Sequence, residues 1–158
     1  MQLRLNEENK IIDRAENFKE AWSEEIRAKM ADPNDSEMLR AEMAQFISFH
    51  DCRDAQTGEA VVAQLNEEAG FEKYAVSERG GYPKYSIFEL PQVGDPISYG
   101  FNGDYYPCGE IKSISATKKL IVSTTGAKFY RRNNSASWVK NGTWSMVAGH
   151  IDERNPHF

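Results

Sequence analysis

The apolar and polar positions of this 158-residue chain follow two different periods in its two halves. Over residues 6–30, Ile11, Ala15, Phe18, Trp22 and Ile26 recur at spacings of 4, 3, 4 and 4, which predicts an amphipathic helix. Ile12 and Met30 widen that stripe, and Asn6 with Glu7 and Glu8 supplies a cap and negative charge at its start. Pro33 ends it, because proline lacks the backbone donor and disfavours helix at the preceding residue. A second helix is expected over 36–50, with Leu39, Met43, Phe46, Ile47 and His50 on one side and Asn34 or Asp35 as its cap. A third starts at Thr57 as cap and aligns Val61, Val62, Leu65 and Ala69. Gly70 then stops it, with Phe71 as the hydrophobic partner of such a stop. The period then drops to two. Residues 74–77 and 84–90 flank Gly80-Gly81 and read as a β-hairpin.

Past Pro91-Gln92 the chain becomes a succession of short strands, 97–101, 109–115, 120–123, 128–132 and 144–148, separated by Gly- and Asn-rich turns. Strands at such spacing predict a small barrel. The expected fold class is therefore α+β: an acidic helical region with a hairpin over 1–92, then a small β-barrel over 93–158.

Charge sharpens this division. Residues 1–92 hold 11 Lys/Arg and 19 Asp/Glu, a balance of −8, whereas 93–158 hold 8 and 5, a balance of +3, giving −5 for the chain. Such a balance excludes a wholly basic nucleic-acid binder and leaves room for a locally basic one. On the first helix, Asp13, Glu16, Glu20 and Glu24 would form a carboxylate stripe with ~5–6 Å between neighbours. That is close to the ~7 Å expected between successive phosphates of stacked nucleotides. A nucleic-acid mimic would present such a stripe, and so would an ordinary solvated helix face. The apolar stripe, with Phe18 and Trp22, serves either as core or as the seam of a homodimer. Helices followed by a hairpin also follow the order of a winged helix-turn-helix. However, the third helix would expose Glu59, Glu67 and Glu68 with no Lys or Arg, and phosphates would repel it.

The barrel segment interleaves basic residues with aromatics at 118–119, 128–132, 138–140 and Trp144. Exposed rings can stack on unpaired bases while Lys and Arg meet phosphates. Tyr105, Tyr106, Lys128, Tyr130, Arg131, Arg132, Trp138 and Lys140 are the candidate contacts to a partner or to nucleic acid. In the competing reading, the aromatics fill the barrel and the charges face water. Alternation is broken in Lys128-Phe129-Tyr130-Arg131, so at least one of the two rings must point outward.

Catalytic signatures are sparse. His50-Asp51-Cys52 invites reading as a metal-binding His-Asp pair or a thiol catalyst. The first needs further ligands, for which only His150 and His157 remain, and the second needs a histidine within hydrogen-bond reach. No phosphate loop, nucleophile elbow or zinc spacing occurs, and no catalytic residue, cofactor or metal is expected. Cys52 and Cys108 are expected to be free thiols. No apolar run approaches the ~20 residues a membrane helix needs, and the first residues carry no secretory signal, so a cytoplasmic protein without a membrane partner is expected. The sequons at Asn133 and Asn141 then carry no weight.

Val93-Gly94-Asp95-Pro96-Ile97-Ser98-Tyr99 and Gly109-Glu110-Ile111-Lys112-Ser113-Ile114 resemble the opening of SH3-like small barrels of the KOW and Tudor type. There a Gly-Asp turn leads the first strand and a Gly-x-Ile run makes the second. Residues 102–107 and the tail after Trp138 depart from the short versions of that barrel. The stretch from Ser98-Tyr99-Gly100-Phe101 through Phe129-Tyr130-Arg131-Arg132 to Gly142-Thr143-Trp144 is also similar to a module of small accessory proteins of tailed bacteriophages. That resemblance implies host takeover or evasion of host defence, in the host cytoplasm. The expected function is non-catalytic binding, as an inhibitor of a host protein or protein–nucleic acid complex acting through protein contact or nucleic-acid mimicry. A nucleic-acid-binding accessory protein that uses the barrel is the alternative, and a thiol-dependent enzyme using Cys52 is the third reading.

Overall fold

The computed structural model describes residues 2–5, 8–15, 46–49, 52, 54–79 and 84–156. They form two compact units, divided between Glu89 and Leu90. Strands dominate, which overturns the expectation of an N-terminal helical region.

In the first unit, β1 (Gln2–Leu5), β2 (Ile11–Ala15) and β3 (Phe46–Ser48) make an antiparallel sheet in the order β2-β1-β3. The residues at the head of the expected first helix are thus a strand, and those near the end of the expected second helix are another. The sequence signal for β1 is the alternation Gln2-Leu3-Arg4-Leu5, in which Leu3 and Leu5 are buried. Tertiary bonds then hold β2 extended. The Ile11 N–H donates to Gln64 Oε1 at 2.8 Å, Gln64 Nε2 donates to the Asn9 carbonyl at 2.8 Å, and Arg14 pairs with Glu68 at 2.7 Å. A helical spacing of apolar residues gave way here to pairing with a distant element. The rest of both expected helices lies outside the described residues.

The single helix among the described residues, α1 (Ala55–Ala69), corresponds to the third expected one. Its N-cap is Asp54 rather than Thr57: the Thr57 N–H donates to Asp54 Oδ1 at 2.7 Å. Gly70 closes it with φ 80°, as the sequence indicates. Val61, Val62 and Leu65 pack with Leu3, Leu5, Cys52 and Ile87 into the core of this unit. The side chain of Asn66 accepts the Lys73 and Tyr74 N–H groups at 3.0 and 2.8 Å and donates to the Tyr74 carbonyl at 3.1 Å, which sets where the next strand begins. That strand, β4 (Tyr74–Glu78), pairs with β5 (Tyr85–Glu89) as the expected hairpin. Its Gly80-Gly81 turn lies outside the described residues.

The second unit is a closed antiparallel barrel of six strands: β6 (Pro96–Phe101), β7 (Asp104–Ile114), β8 (Leu120–Ser123), β9 (Lys128–Arg131), β10 (Trp138–Lys140) and β11 (Trp144–Ala148). Each strand pairs with the next, and β11 pairs back onto β6. This architecture is compatible with an SH3-like barrel. Asn102-Gly103, with φ 52° and 84°, is a two-residue hairpin turn, and Asp104 already belongs to β7. The turn from β10 into β11 has three residues, Asn141-Gly142-Thr143, with Asn141 and Gly142 at φ 53° and 70°. Strand β10 has only three residues and no clear alternation, which hid it from the sequence pattern, yet it closes the barrel.

Phe129 and Ile121 face each other across β8 and β9 with no solvent exposure. Phe129→Ala is expected to cost about 3–5 kcal/mol in denaturant unfolding of the barrel. A loss below about 1 kcal/mol would contradict this packing.

Candidate nucleic-acid interface

Cross-strand partners in a sheet share a face, and so do residues two apart on a strand. From Phe129 the inward face can therefore be followed around the barrel. Arg131 is two residues on and opposite Trp138; Lys140 is two further and opposite Trp144; Met146 follows and is opposite Tyr99, which is opposite Tyr106. The outward face of β9 then carries Lys128 and Tyr130, and Arg132 continues the alternation one residue past the strand.

The burial values of β9 agree with this assignment. Phe129 is fully buried and Tyr130 is 57% exposed, so one ring of the broken alternation does point outward. Lys128 and Arg132 are exposed on either side of it. Tyr130 stands opposite Leu120 and Val139. With Arg131, Arg132, Val139, Asn141 and Gly142 it lines an open depression of about 320 Å³. Among the described residues, neither Lys128 nor Arg132 forms an ion pair. Residues 111–151 contain seven Lys/Arg and no Asp or Glu. The barrel's five carboxylates, Asp95, Asp104, Glu110, Asp152 and Glu153, all lie outside that stretch.

The remaining candidates separate from this strip. Arg131 packs its guanidinium over the Trp138 ring, 5.2 Å from its centroid, and Nε donates to the Ser135 carbonyl at 2.7 Å. Burial pulls its pKa below the ordinary arginine value. Trp138 is only 3% exposed and donates Nε1–H to the Lys118 carbonyl at 2.9 Å. Arg131 thus holds the 132–137 loop and Trp138 the turn between β7 and β8, with no ring face left open for a base. Tyr105 lies against Gly100, where an added Cβ would come 2.4 Å from the ring. Tyr106 stacks on Tyr99 at 5.4 Å, and Lys140 Nζ sits 4.8 Å over the Tyr99 ring. Tyr106, Tyr99 and Lys140 belong to an aromatic cluster on the inward face, completed by Trp144 and Phe101. Tyr99 and Phe101 were not singled out from the sequence, although the alternation Tyr99-Gly100-Phe101 before the Asn102-Gly103 turn marks them.

Of the acidic candidates, Asp13 lies on β2, opposite Arg4. Glu16, Glu20 and Glu24 lie outside the described residues, as does any homodimer seam through Phe18 and Trp22. Asp13 sits in a strand, so it is not part of a helical stripe.

Cys52 and Cys108 are free and buried. Burial pushes the Cys108 thiol above its ordinary pKa, partly offset by the nearby Lys140 charge and a hydrogen bond with Ser123. Its protonated form contributes stability that is complete below the ordinary thiol pKa and is lost as pH rises through the higher folded value. His50, Asp51 and His157 lie outside the described residues, and His150 Nε2 is 3.0 Å from the Gly109 carbonyl oxygen. Among the described residues, no three His, Cys, Asp or Glu gather as a metal site, and no helix is long and apolar enough to cross a membrane.

Comparison with protein-family models, with curated proteins and with solved structures returned no match. The SH3-like likeness therefore stands on the barrel itself, and nothing in these comparisons bears on the resemblance to phage accessory proteins.

Two outcomes follow from this geometry. Arg131→Ala is expected to lower the unfolding midpoint of the barrel, since it removes the cover over Trp138 and the bond to Ser135; an unchanged midpoint would refute its structural role. Alkylation of Cys108 should be slow in the native protein and fast in denaturant, read by mass spectrometry. Rapid native labelling would show that the thiol is open.

Proposed function

We propose that the protein is a non-catalytic binding protein whose barrel contacts single-stranded nucleic acid through the outward face of β9. The observation that carries this reading is Tyr130, an exposed ring with Lys128 and Arg132 two residues away on either side. On a strand, same-face residues stand roughly 7 Å apart. A base stacked on Tyr130 would therefore have cations within reach of the phosphates before and after it. Stacking on an exposed aromatic is tolerant of sequence, and the flanking cations add the salt-dependent backbone term. The absence of carboxylates from 111–151 removes the repulsion that the chain's net charge of −5 would otherwise impose. A duplex is a poorer fit, because its bases are already stacked and a lone outward tyrosine gains nothing from them. The small SH3-like barrel agrees with this use but does not require it, since one fold serves many ligands.

Fluorescence anisotropy of the full chain with a labelled single-stranded oligonucleotide tests this. Tyr130→Ala is expected to weaken binding by roughly 1–3 kcal/mol, about 5- to 150-fold. Lys128→Ala and Arg132→Ala should each lower the slope of log affinity against log salt by about 0.7. Binding that survives all three changes, or that prefers duplex, would refute this interface.

A further inference from the structure

The segment after β11 folds back onto the barrel. β8 pairs only with the far part of β7, from Ile111 to Ile114, so the first residues of β7 have no strand on that side. Residues 152–155 fill the vacancy. The Tyr105 N–H donates to the Glu153 carbonyl at 2.8 Å, and the Glu153 N–H donates back to Tyr105 at 3.3 Å. This reciprocal pair is the hydrogen-bonding unit of an antiparallel ladder. The next residue, Arg154, lays its guanidinium 3.7 Å from the centroid of the Tyr106 ring and donates to the Tyr105 carbonyl. Asn155 completes the register: its N–H donates to Asp104 Oδ1 at 2.9 Å and its Nδ2 to the Asn102 carbonyl at 3.1 Å.

Tyr106 belongs to a cluster in which it stacks on Tyr99 and meets Trp144 edge-on at 5.6 Å. Phe101 meets Trp144 at 6.0 Å and remains 46% exposed. Ring faces attract cations through their quadrupole, and two rings already hold one each: Lys140 on Tyr99 and Arg154 on Tyr106. The two differ in attachment. Lys140 is fixed within β10, whereas Arg154 rides on a segment held at 153–155 by backbone pairing, a half-exposed guanidinium and one asparagine. Those contacts bury no large apolar side chain, so the segment can leave without opening the barrel core.

We infer that this end of the barrel is a receptor for an extended peptide segment bearing an arginine, and that residues 152–155 are its occupant in cis. A segment in trans would add as a strand along Tyr105 and place its arginine on Tyr106, with main-chain bonds giving affinity and the cation giving specificity. The site lies on the inward-face cluster and does not depend on the nucleic-acid reading of β9. Because the occupant in cis competes for the site, peptide affinity is low until that segment is displaced.

The test uses the full chain and a labelled synthetic peptide with the sequence of residues 150–158. Wild type should bind it weakly, and Arg154→Ala should bind it at least about tenfold more tightly, the change read by anisotropy and by Trp144 fluorescence. Glu153→Pro, which deletes the N–H that pairs with Tyr105 while keeping Arg154, should act in the same direction and guards against misfolding of the first variant. A peptide carrying the Arg154→Ala change should lose the gain, as should the protein double variant Arg154→Ala, Tyr106→Ala. Equal affinity of folded wild type and both single variants, or indifference to the peptide's arginine, would overturn the inference. So would an oligonucleotide, rather than the peptide, perturbing Trp144 in the Arg154→Ala protein.

Discussion

Phe129 packed against Ile121, both without solvent contact, decides which way every residue of β9 faces. Side-chain period in a strand is two, and a slip of one residue would bury Tyr130 and expose Phe129. Burial of the more apolar ring fixes the register. Everything said of the barrel surface follows from it: Lys128, Tyr130 and Arg132 point outward, while Arg131 turns inward to cover Trp138. The neighbouring arginines 131 and 132 look alike in sequence and have different uses.

The same parity produces the second surface. Carried around the closed meander, the inward face passes from Phe129 through Trp138 to Trp144, Tyr99 and Tyr106, where the hairpin turns at 102–103 and 141–143 lie. The barrel interior thus ends in half-buried rings, and the chain places its own cations on them. The proposed nucleic-acid contact needs a ring left open to solvent, and the proposed peptide contact needs a ring whose own occupant can be displaced.

The barrel was legible from the sequence because its strands are short, alternate clearly and are separated by Gly and Asn at positive φ. Leu120–Ser123 and Trp144–Ala148 were read to the residue, and Phe129-Tyr130 gave away its outward ring. Strand β10 was missed because three residues carry no period. The N-terminal half misled for a different reason. Ile11 and Ala15 fit a helical spacing, but β2 is held by Gln64 and Glu68, more than fifty residues away, and local periodicity carries no information about such partners. The alternation of Leu3 and Leu5 was the better guide. Among the site residues, sequence could nominate the aromatic and basic positions. It could not divide them between two faces, nor reveal that Arg154 lies on Tyr106, because both depend on closure of the barrel.

The central claim is that Tyr130 carries the bound base. Photo-cross-linking of the full chain to a single-stranded oligonucleotide containing a halogenated pyrimidine, with the adduct located by mass spectrometry, addresses it most directly. The account predicts an adduct on Tyr130, lost at high salt. Adducts confined to Tyr99, Tyr106 or Trp144, or none at an oligonucleotide concentration that saturates binding, would contradict it.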